Sequence, residues 1–317
     1  MPCIKPIIIA ILAMNIASIY AETTSVQPGT IDNISATHVA GLPEIKPNVK
    51  GSLAFTAEEL TFSNSEVHSS IPLNRISNVF AGDERTEPWG TTGRIVRKVI
   101  PYGGGSALGA MTNQKVDLLT VEFRDIHEGY HGVVFIVPKQ KAAEIRDRLM
   151  PKTPISEPHP LQACSALDTN ARSVLVEPLT ESQIELPAEY RVLIYEQLIK
   201  QLKAKRPSDT FFRTGDLSTG PGCTALTLRV TVTAFKKGNR AVRASTGPLG
   251  LFLGTTSLTF DVSLQDTQEK NVFHKQIKKS NRSDSDSLGL ADAIAKGVAK
   301  QFDKSLNKSA TQTASLN

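Results

Sequence analysis

The chain has 317 residues, of which 40% are hydrophobic and 21% are charged. These proportions are typical of a folded protein rather than a disordered one, and the length suits two domains of ordinary size. The net charge of +5 is spread along the chain without a dense cluster of lysine and arginine. That distribution argues against nucleic-acid binding, so no nucleic-acid partner is expected.

The first 21 residues, Met1–Ala21, have the pattern of a secretory signal peptide. Lys5 precedes a short apolar run from Ile7 to Met14, and Ile19-Tyr20-Ala21 offers aliphatic and small residues to signal peptidase. The apolar run is too short to span a bilayer. Cleavage after Ala21 predicts a periplasmic or secreted protein without a transmembrane segment. Nucleotide cofactors are absent from that compartment, and no cofactor is expected.

The cysteines predict one disulfide bond. Cys3 leaves with the signal peptide, so the mature chain keeps Cys164 and Cys223. Two cysteines in an oxidising compartment most simply pair with each other. Two buried thiols are the alternative.

The first half of the mature chain predicts a mainly-β domain. Residues 22–44 lack a sustained period and predict a flexible arm, whereas residues 45–150 contain many short strands followed by one helix. The strands are predicted at 52–56, 60–63, 70–73, 76–80, 95–100, 118–123 and 132–137, and the helix at 139–149. The run Gly51-Ser52-Leu53, Leu60-Thr61-Phe62 and Ile71–Ile76 resembles bacterial pleckstrin-homology-like proteins. This resemblance implies a β-barrel with a C-terminal helix.

The second half predicts a separate α+β domain over residues 169–306. Four prolines in 151–168 indicate a linker before it, and the polar residues 307–317 indicate a disordered tail. The predicted element order is β-α-β-β-β-β-β-α with an antiparallel sheet, in which the first helix follows Pro187 and the second begins near Ser287.

The segment Phe235–Arg243, followed by a glycine-rich turn and Val262–Asp266, resembles an uncharacterised family of bacterial envelope proteins. The fold of that family is similar to the α+β domains of curli-secretion lipoproteins and the N-terminal domain of the Tol-system propeller protein. The resemblance implies an envelope-associated, non-catalytic role. Unlike the lipoproteins, this chain lacks an N-terminal lipid-bearing cysteine.

The segment His127-Glu128-Gly129-Tyr130-His131 matches the H-E-x-x-H pattern of zinc peptidases. Those enzymes need the motif on a helix, which brings both imidazoles to one face. Here it lies between two predicted strands, and Gly129 and Gly132 favour a hairpin turn. The main interpretation is a polar turn whose histidines face water. A weak adventitious metal site and a zinc-dependent hydrolase using His127, Glu128 and His131 are the alternatives.

Two glycine-rich segments and one basic segment are candidate contact sites. The first glycine-rich segment contains Gly103, Gly104, Gly105 and Gly109. The second is apolar and contains Leu249, Leu251, Phe252 and Leu253. The alternative for the first glycine-rich segment is a glycine-permitted excursion between strands, and for the second a segment that folds back onto the sheet. Lys236, Lys237, Arg240 and Arg243 are candidate contacts for anionic headgroups or glycans, with a solvated, lysine-protected sheet edge as the alternative.

Together these patterns predict a non-enzymatic binding or assembly module of the cell envelope. The expected partner is another envelope protein or a second copy of the chain, with a lipid or an anionic glycan as alternatives. No catalytic residue is assigned. A lipid or small-molecule carrier and the zinc hydrolase described above are the alternative functions.

Overall fold

The computed structural model describes residues 31–84, 116–149, 173–216, 224–236, 256–281 and 287–314. They form two β-sheets and three α-helices, so the mainly-β character and the helices predicted from the sequence are confirmed. The signal peptide, the linker, the two cysteines and both glycine-rich segments lie outside the described residues. So does the strand predicted at 95–100.

The first seven strands form the N-terminal sheet, in the order β4-β3-β2-β1-β7-β6-β5, and every described pairing in it is antiparallel. Its strands are β1 (Ile31–Ala40), β2 (Val49–Phe55), β3 (Glu59–Ser63), β4 (His68–Pro72), β5 (Ile76–Glu84), β6 (Val116–Arg124) and β7 (Tyr130–Val137). The strands predicted at 52–56 and 60–63 are confirmed as β2 and β3, which pair as a hairpin.

The prediction of a flexible arm over 22–44 is wrong for residues 31–40. These residues form β1, which lies between β2 and β7 in the middle of the N-terminal sheet. Ile34 and Ala36 are buried in its core although polar residues alternate with them. That alternation is the period of a half-buried strand, and the polar composition of the segment conceals it.

The N-terminal sheet is not a closed barrel. Its edge strands β4 and β5 are joined by one short turn, Leu73–Arg75, so the sheet must curl until its two edges approach at one corner. The described strands show no pairing between β4 and β5 that would close it. The implied pleckstrin-homology-like barrel is therefore not confirmed.

Helix α1 (Lys141–Leu149) covers one face of the N-terminal sheet. Ala142, Ile145 and Leu149 enter a core with alternate residues of the strands, such as Leu119 and Val133. The helical spacing of these three residues placed this element correctly from the sequence. Residues of opposite parity, such as Leu118 and Val134, point to the other face, which is also buried.

The remaining strands form the C-terminal sheet, and it is mixed rather than antiparallel. Strand β8 pairs in parallel with both β10 and β11, whereas β11, β12 and β13 pair antiparallel in sequence. The strands are β8 (Ser173–Val176), β9 (Thr180–Glu181), β10 (Thr210–Arg213), β11 (Leu226–Lys236), β12 (Thr256–Asp266) and β13 (Asn271–Asn281). Helix α2 connects β8 to β10, and a helical crossover of this kind joins parallel strands. The prediction of a wholly antiparallel sheet is therefore wrong for this pair.

Helix α2 (Ala188–Lys205) begins after Pro187 and lies between the two sheets. Leu193 and Leu198 form one buried apolar stripe, and Val192, Tyr195 and Ile199 form a second. A helix that is apolar on most of its circumference has layers packed on both sides. Helix α3 (Ser287–Ala314) packs beside α2 and extends to residue 314, so the predicted disordered tail does not begin at 307.

The two sheets share one hydrophobic core through α2, so the predicted two-domain arrangement is not confirmed. This core combines Leu118 and Val134 of the N-terminal sheet with Val192 of α2 and Val230 of the C-terminal sheet. Burying one such aliphatic side chain contributes about 1.5–3 kcal/mol. The contact between β7 and α2 is close at Gly132, where a methyl group would lie 2.5 Å from a Val192 methyl carbon.

Candidate functional site

The His127–His131 segment is a hairpin turn between β6 and β7, as predicted, rather than a helix. Its two histidines differ: His127 is exposed, whereas His131 is buried and stacks on the Phe123 ring at 5.5 Å. The prediction that both histidines face water is therefore wrong for His131. Strand alternation turns this residue towards the interior, because β7 begins at Tyr130.

Asp125 organises this turn. One carboxylate oxygen accepts hydrogen bonds from the main-chain N–H groups of His127 and Gly129, and the other lies 3.1 Å from Nε2 of His131. Burial by itself would raise the pKa of Asp125. The hydrogen bond and electrostatic attraction of His131, together with the two N–H groups, outweigh it and lower the pKa to about 2.

Acid should therefore destabilise the protein through Asp125. A carboxylate whose folded-state pKa lies below its ordinary value of 3.8 adds stability that is fully present above that value. This contribution is lost as the pH falls towards about 2. We expect Asp125→Asn to flatten the pH dependence of the unfolding free energy in this window, measured by urea unfolding at successive pH values. Asp147→Asn is the control, since Asp147 is 66% exposed. An unchanged pH slope in Asp125→Asn would contradict the assignment.

Beside this turn, a set of buried charges joins the N-terminal sheet to α2 and the C-terminal sheet. Glu196 of α2 accepts two hydrogen bonds from Arg213 of β10, at 2.7 and 2.8 Å, and one from the main-chain N–H of Gly132. Arg213 also donates to the carbonyl of Tyr130. His131 Nδ1 lies 3.8 Å from the Glu196 carboxylate, beyond hydrogen-bond distance. We call Asp125, His131, Glu196 and Arg213 the junction network.

Aromatic rings surround the junction network. The guanidinium of Arg213 lies 5.3 Å from the Tyr195 ring centre, and the rings of Tyr195 and Tyr130 meet edge to face at 5.2 Å. Burial would lower the pKa of Arg213, but the charge and hydrogen bonds of Glu196 dominate and raise it. Burial raises the pKa of Tyr195, whose hydroxyl donates to the carbonyl of Val176. Arg213 is therefore charged and Tyr195 neutral across the ordinary pH range.

A second ion-pair set lies one turn nearer the start of α2. Arg191 donates to Glu122 of β6 at 2.8 Å and to Glu181 of β9 at 3.0 Å, and it lies over the Phe80 ring. Burial would lower the pKa of Arg191, but its two carboxylate partners raise it. One arginine of α2 thus links a strand of each sheet. Ion pairs that satisfy one another in this way hold neighbouring layers in register.

The described residues do not assemble a metal site around the H-E-x-x-H motif. In the part of the chain that the structure describes, no three histidine, cysteine, aspartate or glutamate side chains are grouped to hold a metal ion. Nor does any helix among the described residues combine the length and hydropathy that crossing a membrane requires. His131 directs one ring nitrogen at Asp125, and Glu128 pairs with Arg75.

The two strand pairs that flank the glycine-rich segments end close together. Strands β5 and β6 end at the Glu84–Val116 pair, and Gly82 is so near α2 that a methyl group there would lie 3.3 Å from the Glu189 carboxylate. Strands β11 and β12 end near the Lys236–Ser257 pair, and the Phe235 ring lies 5.2 Å from that of Tyr190. Glu189 and Tyr190 are consecutive in the first turn of α2. We call this region the α2 N-terminal end.

Most of the contact residues predicted from the sequence lie outside the described residues. They are Gly103, Gly104, Gly105, Gly109, Leu249, Leu251, Phe252, Leu253, Lys237, Arg240 and Arg243, together with the predicted disulfide partners Cys164 and Cys223. Lys236 is described and is exposed at the end of β11.

Three residues of these ion-pair sets were not predicted from the sequence: Arg191, Glu196 and Arg213. A signal for the first two was available, because each is a charged residue within an apolar helical segment. Charges in such a segment must meet partners when both sides of the helix are covered. Arg213 carried no comparable signal, since it follows two phenylalanines at the end of a short strand.

Residues 161–309 match the model of DUF4410, a domain of unknown function. No curated protein matches the chain. The solved structures similar to it include the PelC dodecamer from Paraburkholderia phytofirmans, with 15% identity over 43% of this chain and 92% of that one, and a TM-score of 0.31. Protein XCC0632 from Xanthomonas campestris has 10% identity over 46% and 89% of the two chains, with a TM-score of 0.29.

A neuraminyllactose-binding hemagglutinin homolog from Helicobacter pylori has 16% identity over 49% of this chain and 92% of its own, with a TM-score of 0.30. At these TM-scores the likenesses carry no argument about this chain. The family match agrees in position with the resemblance of the C-terminal half to an uncharacterised family.

Proposed function

We propose that this protein is a non-enzymatic binding or assembly module of the bacterial cell envelope, exported by the Met1–Ala21 signal. Its contacts are made by the two glycine-rich segments, at 103–109 and 249–253. The observation that carries the proposal is that the strands flanking the two segments contact the same turn of α2. Gly82 of β5 lies next to Glu189, and Phe235 of β11 lies against Tyr190. Both segments therefore leave the described fold at the α2 N-terminal end.

The charged groups of the described core support a binding role rather than a catalytic one. Glu122 and Glu196 are each held by an arginine, and Asp125 is held by His131 and main-chain N–H groups. A general acid or base needs a side chain that reaches the reacting atoms. Here Glu122 and Glu196 lie between packed layers, Asp125 lies in the hairpin turn, and all three carboxylates bond to the protein itself. The zinc-hydrolase alternative draws no support from a hairpin whose buried histidine bonds to Asp125.

The second glycine-rich segment connects β11 to β12 and is rich in apolar residues. Apolar residues in such a connecting segment of an exported protein are candidates for contact with another protein. Leu251 and Phe252 provide the largest apolar groups of the second segment. A partner that covers them would bury surface worth several kcal/mol at about 25 cal/mol per Å². Another envelope protein or a second copy of the chain is the proposed partner.

We expect the double substitution Leu251→Ser/Phe252→Ser to reduce association without lowering the unfolding temperature. The measurement is light scattering coupled to size-exclusion chromatography, together with pull-down of envelope proteins from the native host. Ile126→Ser is the matched control, because Ile126 is 76% exposed and lies at the opposite end of β6. Association that is equal in both variants would contradict the proposed contact.

Native mass spectrometry of the secreted protein, without reductant, separates this function from its alternatives. The proposal expects a mass that lacks Met1–Ala21 and the hydrogens lost on disulfide formation between Cys164 and Cys223, with no bound small molecule. A stoichiometric lipid adduct would favour the carrier alternative, and a stoichiometric zinc adduct would favour the hydrolase.

A further inference from the structure

Strand β13 is a long free edge of the C-terminal sheet. It runs for 11 residues, Asn271–Asn281, and among the described strands it pairs only with β12. On its other side, no described strand pairs with the main-chain N–H and C=O groups of β13, so these groups can pair with an added strand. A long open edge is a template for pairing with another chain, and proteins normally protect it.

The edge is strongly basic. Lys275, Lys278 and Lys279 lie within five residues of one another, and β13 contains no aspartate or glutamate. Lys275 donates a hydrogen bond to the neutral Gln301 amide at 3.1 Å, and Lys279 lies against Gly297 of α3. Within the described part of the chain, no ion pair to a carboxylate is formed by these three lysines.

Helix α3 extends the positive charge beside this edge. Lys300 and Lys304 are exposed and follow Gly297 and Gln301 by three residues each, so they lie on the adjoining strip of the helix surface. The acidic residues of α3 face the other way. Asp292 accepts a hydrogen bond from Gln201 of α2, and Asp303 accepts one from Arg206. A further lysine, Lys296, pairs with Asp292 on that other side, so the lysines of α3 next to β13 are Lys300 and Lys304.

We infer that the β13 edge binds an extended, acidic peptide segment of a partner protein by adding it to the C-terminal sheet as a further strand. The open main chain supplies the pairing, and four lysines on the α3 side of β13 supply the charge complementarity: Lys275, Lys279, Lys300 and Lys304. The same lysines disfavour a second copy of β13, since two such edges would bring lysines together. This surface differs from the α2 N-terminal end, so the inference goes beyond the proposed function and fails separately from it.

The test uses the full mature protein and a fluorescent peptide as long as β13 that alternates glutamate with valine. We expect saturable binding by fluorescence anisotropy, and new protection of residues 271–281 against hydrogen exchange when the peptide is bound. Lys275→Glu/Lys279→Glu should weaken binding about tenfold, because both lysines lie on the α3 side of β13 and each reversal replaces an attraction by a repulsion. Lys139→Glu is the matched control, an exposed lysine at the end of β7 that should leave the affinity unchanged.

A peptide of the same sequence with alternate main-chain nitrogens methylated separates strand pairing from general attraction of negative charge. The inference requires that this peptide binds far more weakly than the unmodified one. Equal binding of the two peptides would overturn it, because the site would then recognise charge without pairing. Equal loss of affinity in Lys139→Glu, or protection elsewhere than in β13, would overturn it as well. Circular dichroism checks that the variants remain folded.

Discussion

Replacing Glu196 by glutamine should lower the free energy of unfolding by about 3–5 kcal/mol, since removing one partner of a buried ion pair leaves an uncompensated charge. The side chains of Glu196 and Arg213 are only 9% and 13% exposed. Glutamine keeps the size of the side chain and an oxygen for the Gly132 N–H group. The loss therefore measures the charge of Glu196 rather than a cavity. Urea unfolding followed by far-ultraviolet circular dichroism gives the value.

The double variant Glu196→Gln/Arg213→Met tests the physical reason for this loss. It removes both charges, so no uncompensated charge stays buried. We therefore expect this variant to recover a large part of the unfolding free energy that Glu196→Gln loses. Lys141→Gln serves as the control, because the exposed pair of Lys141 with Glu144 contributes about 1 kcal/mol or less. If Glu196→Gln cost no more than this control, the junction network would not be a stabilising element.

The same variant should affect both sheets at once. Glu196 bonds to Gly132 of β7 and to Arg213 of β10, which lie in different sheets. Because the sheets also share the core around α2, we expect β6 and β12 to lose hydrogen-exchange protection together. Two separate unfolding steps would instead support the independent domains that the sequence predicted.

Replacing Gly132 by alanine should destabilise the protein by about 1–3 kcal/mol through overpacking at the contact of β7 with α2. The added methyl group would lie 2.5 and 2.6 Å from the two methyl carbons of Val192. Such distances require the strand or the helix to move. The change in unfolding free energy, measured by urea unfolding, tests this expectation.

Compensation at Val192 distinguishes overpacking from an effect on the strand itself. Val192→Ala removes the methyl groups in question, so Gly132→Ala/Val192→Ala should cost less than the sum of the single substitutions. Gly129→Ala is the matched control, because its nearest contacts would be 3.4 Å and longer. Additive effects in the double variant would show that the methyl clash is not the cause.

The sequence located most strands and all three described helices, because period-2 and helical patterns depend on local burial. It failed at β1, where polar residues alternate with Ile34 and Ala36 and hide a central strand. It failed also at the C-terminal end of α3, where the helix continues through a polar segment. At β1 the neighbouring strands stabilise the segment, and a segment's own composition does not record its neighbours.

The candidate site was predictable only in part. The turn at Asp125–Gly129 was read correctly from its glycines, but the pairing of His131 with Asp125 depends on which side of β7 faces inwards. The second apolar stripe of α2, Val192, Tyr195 and Ile199, was present in the sequence at helical spacing. This second stripe predicts a helix that is covered on both sides. Such a helix indicates one structure with a shared core instead of two separate domains.

The amino-acid sequence by itself determined the local elements, the apolar residues that fill the cores and the basic character of β13. Each follows from side-chain chemistry and from periods of a few residues. Only the tertiary structure decided that α2 lies between two sheets, that Arg213 meets Glu196, and that Gly82 and Phe235 approach the same turn of α2. These contacts join residues far apart in the chain. Their energies depend on distance and burial in three dimensions, which no local pattern specifies.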